Sequence, residues 1–159
     1  MTQVTQESLL KFSAKRVVRF SDCDPSGIVF FPQYLVMLNG VVEQWFDECL
    51  QVPYAALIAA RGLGLPTVRL ELDFTAVSRH GDAVEWQLQV HKLCRSSLTL
   101  MHECRGGDGN ELRLRARQVI VCTSLLTHKP QALPDDVRAA IALQAAGAPT
   151  APGLAERRP

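Results

Sequence analysis

The sequence predicts an α+β domain in which one five-stranded antiparallel sheet wraps around one long central helix. Three observations predict it. A stretch opening at Pro32 is apolar on nearly every side, as a helix in the middle of a domain is. Four segments between Val68 and Val121 alternate apolar and polar residues with period two, the pattern of strands with one wetted face. The links between those segments are short and rich in Gly, Ser, Asp and Asn, as antiparallel connections are. A curved sheet around a single helix buries both the helix and one face of every strand.

Residues 1–14 form a polar lead-in with a short helical turn expected from Glu7 to Phe12. Lys15 to Ser21 reads as the first strand, because Val17, Val18 and Phe20 favour extended backbone. Asp24 precedes Pro25 and is biased away from helix, and Gly27 supplies the freedom a tight turn needs. Pro32 suits the first helical position. From Gln33 to about Leu50 the residues Tyr34, Leu35, Val36, Met37, Leu38, Val41, Val42, Trp45, Phe46 and Cys49 cover far more than one stripe. Val52-Pro53 ends this helix, and a shorter one runs from Pro53 to Arg61 until Gly62-Leu63-Gly64 stops it.

Then the period changes. Val68–Phe74, Val84–Val90, Leu98–Cys104 and Leu112–Val121 are the four remaining strands. Ser78–Asp82, Cys94–Ser96 and Gly106–Asn110 read as hairpin loops. Leu133-Pro134-Asp135-Asp136 opens a last helix with Val137, Ile141 and Leu143 as its apolar contacts. The domain is expected to span residues 15–145, with a frayed Ala-, Gly- and Pro-rich tail over 146–159.

The 159 residues are enough for one domain with a real core. Net charge is +1, which gives no electrostatic case for nucleic acid or an anionic membrane surface as partner. No apolar run reaches the length of a membrane span, and Met1 to Lys15 lacks the apolar core of a signal peptide. The five cysteines have no C-x-x-C spacing, so a reducing cytoplasm is the expected location. The four histidines form no close-spaced ligand motif, so no metal is expected.

Ser21 to Tyr34 carries the chemistry. Asp22 and Asp24 close a strand, a Pro-Ser-Gly turn follows, and Pro32 opens the helix. An acid is thereby placed near a helix N-terminus, whose unpaired N–H groups and positive dipole end can hold an oxyanion while a carboxylate attacks or activates water. Read from the residues alone, Asp24 is first a turn or cap aspartate, common before Pro-x-Gly, and only second a reacting acid. Asp22 reads as a structural acid. Cys23 lies between the two acids, which disfavours its thiolate. Of Phe30 and Phe31, one is expected in the core and the other on an acyl pocket. Asn39 is either a buried, hydrogen-bonded helix residue or a group that orients Asp24 or water. Arg113, Arg115 and Arg117 read as a solvated or intersubunit stripe, and Gly106-Gly107-Asp108-Gly109 as a turn rather than a phosphate loop.

Asp22-Cys23-Asp24-Pro25-Ser26-Gly27-Ile28-Val29-Phe30-Phe31-Pro32-Gln33-Tyr34 resembles the signature of the 4-hydroxybenzoyl-CoA thioesterase family, whose fold is the hotdog fold just described. The likeness runs from about residue 15 to residue 143 and is strongest to the aromatic bacterial branch. It implies acyl-CoA thioester hydrolysis by Asp24, as nucleophile or as base for water, with the Phe31 N–H on the thioester oxygen. Gly27, Phe30, Pro32 and Asn39 fall in the implied substrate site. Lys92, Arg95 and Ser96, after the third strand, match the segment that holds CoA phosphates in relatives. Sites shared between subunits are implied, hence a homo-oligomer, a dimer at minimum and a tetramer by preference. No cofactor is implied beyond the CoA of the substrate.

Three positions depart from the family pattern. Phe31 is a tyrosine in the aromatic branch and a histidine in the short-chain branch, so only its backbone carries over. Asn39 stands where those relatives have an acid. The basic cluster is thinned to Lys92 and Arg95. These departures motivate a second reading, a non-hydrolytic module that binds acyl-CoA or an acyl carrier. A hotdog hydratase is the weaker third reading, because Phe31 stands where a histidine would serve.

Overall fold

The structure is a computed structural model and describes residues 11–107 and 110–147. Its elements are β1 (Phe12–Val17), α1 (Phe31–Gln44), α2 (Tyr54–Ala59), β2 (Leu63–Gly64), β3 (Thr67–Phe74), β4 (Ala83–Leu93), β5 (Ser97–Gly106), β6 (Glu111–Val121), β7 (Thr123–Ser124) and α3 (Asp135–Ala145). Five strands form one antiparallel sheet in the order β1-β4-β5-β6-β3. β2 and β7 pair separately as a two-residue ladder.

α1 lies against the sheet and buries Tyr34, Met37, Leu38, Val41 and Val42. It continues as one wider π-helical turn, Trp45–Leu50, which buries Trp45, Phe46 and Leu50. Gln51 in the left-handed conformation (φ 55°) ends it ahead of Val52-Pro53. The inward residues of the strands meet this helix: Trp86 and Leu88 from β4, Leu98, Leu100 and Cys104 from β5, Leu114 and Ile120 from β6. Each fully buried Leu or Ile of this set contributes about 1.5–3 kcal/mol relative to exposure. α3 closes the far end, where the Trp45 indole N–H donates to Gln144 Oε1 at 2.8 Å.

Five expectations need correction. β1 begins at Phe12 and ends at Val17, because Val18 leaves the ladder to exchange bonds with Gly81 and Asp82, and Phe20–Asp22 coils into a 3₁₀ turn. Of the helical turn expected over residues 7–12, Phe12 is strand and residues 7–10 lie outside the described residues. Pro32 is the second helical residue, with Phe31 first and Phe30 as the cap. The link 75–82 is no hairpin loop: β3 pairs with β6 and β4 with β1, so this link crosses from one edge of the sheet toward the other. Leu143 is 60% exposed, so α3 packs through Val137 and Ile141 alone of the three residues expected.

Candidate active site

The turn after β1 folds back on itself. Cys23 pairs with Val29 in an antiparallel bridge, the Asp24 N–H donates to Ile28 O at 2.9 Å, and the Phe30 N–H donates to Asp22 O at 2.9 Å. Gly27 makes the reversal possible with φ +81°, and its N–H closes on Asp24 O at 3.0 Å. The turn rests on the approach to β4: Val29 N–H donates to Ser78 O and His80 N–H to Gly27 O. Asp24, Gly27, Phe30, Phe31 and Pro32 are thus gathered at the N-terminal end of α1.

Asp24 is half-buried. Its Oδ1 accepts from the Ser26 N–H at 2.8 Å and from the Ser26 hydroxyl, an Asx turn, while Oδ2 has no hydrogen-bond partner among the described residues. The turn aspartate and the motif acid are therefore the same group: one oxygen fixes the carboxylate and the other stays available. Asp22 caps the 3₁₀ turn instead, accepting the Arg19 N–H at 2.8 Å. Partial burial, then the carboxylates of Asp22, Asp24 and Asp82, push the Cys23 thiol up, which agrees with its exclusion as a nucleophile.

Phe31 is the first residue of α1, so its N–H has no intrahelical acceptor, and none of the described residues takes it. Neither Phe30 nor Phe31 enters the core: both are exposed, with ring centroids 5.7 Å apart. Behind them lies a cleft of about 330 Å³, lined by Ile28, Val29, Phe31, Tyr34 and the segment 74–78. The Phe31, Phe74 and Tyr34 rings meet edge-on or tilted along it. This is the size range and apolar character of a small-molecule site. Phe74, expected as a strand residue, and Ser78, expected as a loop residue, were not expected at the site. Their arrival depends on the crossing link, which the Arg113 guanidinium and backbone hold through Val77 O, Thr75 N and Ala76 N.

Asn39 is exposed, against the buried alternative, and its amide donates to Glu43 Oε1 at 3.2 Å one turn along. It lies eight residues into α1 from Phe31, about 12 Å along the axis. Lys92, Arg95 and Ser96 are not brought to the turn at all. They sit at the opposite end of β4, whose eleven residues span about 33 Å. There α3 pins the loop: Leu133 N–H donates to Arg95 O and Arg138 Nη1 to Cys94 O, and Cys122 N–H donates to Ser96 O. Basic groups with no expected site role do lie near the turn. Lys15, Arg16 and Arg19 share a groove of about 780 Å³ with Asp22, Val36 and Met37.

Residues 18–141 match the family model of the thioesterase-like superfamily. The chain belongs to that superfamily. It is 29% identical over 109 residues to the 4-hydroxybenzoyl-CoA thioesterase of Pseudomonas sp. strain CBS-3, covering 65% of this chain and 77% of the relative. It is 27% identical over 130 residues to the 1,4-dihydroxy-2-naphthoyl-CoA hydrolase of Synechocystis, covering 82% and 94%. The crystal structure of a 1,4-dihydroxy-2-naphthoyl-CoA thioesterase from Synechocystis superposes with a TM-score of 0.77 at 26% identity, over 83% of this chain and 96% of that one. The hotdog architecture, the family and the thioester-hydrolase class implied by the opening motif are borne out.

Proposed function

We propose that this thioesterase hydrolyses aromatic acyl-CoA thioesters to the free acid and CoA, with Asp24 as the reacting carboxylate. The observation that carries the reading is the conjunction of Asp24, fixed through one oxygen, with an unpaired helix-start N–H and an aromatic cleft. The Phe31 N–H and the dipole of α1 favour negative charge on the thioester oxygen as the carbonyl carbon becomes tetrahedral. Asp24 Oδ2 either attacks that carbon, giving an anhydride that water then cleaves, or takes a proton from the attacking water. Thiolate leaves as CoA and is protonated. Water and the substrate suffice, so neither metal nor cofactor enters the scheme.

The aromatic preference rests on the Phe31–Phe74–Tyr34 cleft and on the relatives named for 4-hydroxybenzoyl and dihydroxynaphthoyl esters. Short-chain acyl groups are the competing substrates. Lys92, Arg95 and Ser96 can meet CoA phosphates at this turn only from another copy of the chain, because their own copy holds them a strand-length away. A homo-oligomer is therefore part of the proposal, a dimer at least and a tetramer by preference, as is a cytoplasmic location. The unpaired edge of β3 is a surface such assembly can cover.

The test is thiol release by the purified protein across aromatic and aliphatic acyl-CoAs, with solution mass measured alongside. Turnover highest on aromatic esters by an oligomer supports the reading. Tight acyl-CoA binding with no thiol release on any ester would replace it with the binding-module reading, and an active monomer would remove the shared site.

A further inference from the structure

The cleft beside Phe31 has an apolar rim and a polar floor. Phe31 and Phe74 stand at the mouth, 58% and 49% exposed. Val29, Tyr34 and Ser78 form the floor, and Tyr34 and Ser78 are only 4% and 1% exposed. Among the described residues, neither the Tyr34 hydroxyl nor the Ser78 hydroxyl has a well-aligned hydrogen-bond partner, and Ser78 stands close enough to Tyr34 to favour its charged form. Two buried hydroxyls at the bottom of one cleft are an unusual cost, because buried polar side chains are nearly always paired. Alanine at 78 and phenylalanine at 34 would fill the same space without it.

Their placement is specific. Ser78 ends the segment that Arg113 holds against β6, and its carbonyl receives the Val29 N–H, so the residue is locked between the sheet and the turn. Tyr34 is one helical turn beyond Phe31, on the same face of α1. Burial pushes the Tyr34 phenol up, with the neighbouring Ser78 and Arg113 opposing, so the group stays a neutral donor and acceptor at physiological pH.

We propose that Tyr34 Oη and Ser78 Oγ are the specificity-determining pair of the acyl pocket, binding a hydroxyl substituent on an aromatic acyl group whose ring lies between Phe31 and Phe74. The pair rests on the thioesterase reading for its substrate but not for its chemistry. A phenolic hydroxyl is both donor and acceptor, and it can complete both orphan groups at once. An unsubstituted ring would leave both unpaired in a desolvated site, and sites built to hydrogen-bond a substrate hydroxyl reject analogues that lack it far more strongly than apolar pockets reject a size change.

The experiment compares 4-hydroxybenzoyl-CoA with benzoyl-CoA for the wild type, Tyr34→Phe and Ser78→Ala, reading the ratio of the two kcat/KM values. The wild-type ratio is expected to favour the hydroxylated ester by at least tenfold, and each variant is expected to cut that ratio by about tenfold or more. A wild-type ratio near one, or variants that slow both esters equally, overturns the proposal. Two further measurements keep it apart from the thioesterase reading and from a folding role. Calorimetric binding of 4-hydroxybenzoate against benzoate requires no hydrolysis: preference for the former, lost in Tyr34→Phe, supports the pair even if no ester is cleaved, and equal binding overturns it. In the ligand-free protein both variants are expected to melt at or a few degrees above the wild-type Tm, since each removes a buried hydroxyl that has no well-aligned partner. A fall in Tm would show that the hydroxyls serve the fold instead.

Discussion

His102 sits fully buried on the inward face of β5 and gives the protein a titration signature that can be read in solution. Its Nε2 meets Gln118 Oε1 at 3.0 Å, and Gln118 Nε2 donates to Thr67 Oγ1 at 2.8 Å, a relay joining β5, β6 and β3 under the helix. Burial lowers its pKa from 6.5 to about 4, against the smaller opposing effect of Gln118. The folded protein therefore holds His102 neutral while the unfolded chain protonates it near 6.5. The stabilisation is complete above that value, declines as pH falls from 6.5 toward 4, and levels off below 4, where both states bind the proton. At 1.36 kcal/mol per pH unit the whole window amounts to roughly 3 kcal/mol, of which about 2 kcal/mol is gone by pH 5. With a urea m-value of about 2 kcal/mol/M, the midpoint should fall by roughly 1 M between pH 7 and pH 5. His102→Asn removes the titrating ring and should flatten this interval relative to wild type. Glu103, on the outward face, has burial outweighed by its bonds to Arg105 and Arg115, so its pKa is lowered and its contribution is lost only at more acid pH, in both proteins. Parallel wild-type and variant profiles between pH 7 and pH 5 would refute the reasoning.

Other substitutions test the packing and the helix. Leu100→Ala truncates a fully buried residue between the sheet and α1 and should cost about 2–5 kcal/mol in urea unfolding. Gly40→Ala should be neutral or stabilising by up to about 1 kcal/mol, because the added Cβ would meet only the flexible Arg16 guanidinium at 3.1 Å while gaining helix propensity. A calorimetric Tm below wild type would show that Arg16 cannot give way. Gly27→Ala meets no neighbouring atom, yet its φ of +81° is strained for any side chain, so it should lose about 1 kcal/mol and also slow thiol release by loosening the turn that fixes Asp24.

What the sequence made legible was local. Pro32, followed by an all-round apolar run, located α1, and strict alternation located β4, β5 and β6, because burial of one helix and one sheet face writes those periods directly. The motif acid was legible for the same reason: Asp24-Pro25-Ser26-Gly27 is a turn whose geometry its own residues dictate. The partners of the link 75–82 were not. A five-residue polar link looks like a hairpin whichever strand it leads to, and pairing of β3 with β6 is decided by contacts forty or more residues apart in the chain. The polar floor of the cleft was hidden with it, since Ser78 reaches Tyr34 only through that crossing. β2 and β7 are too short to show a period. Asn39 looked buried because the surrounding helix is so apolar, yet it falls on the solvated face beside Glu43.

Asp24→Asn tests the central claim most directly. The substitution keeps Oδ1 as an acceptor for Ser26, so the turn and substrate affinity should persist while the reacting oxygen is replaced by an amide nitrogen. Assayed by thiol release on the best aromatic ester, kcat should fall by about 10²–10⁴-fold with the substrate dissociation constant nearly unchanged. Turnover within a few-fold of wild type on every ester that the wild type cleaves would contradict the account.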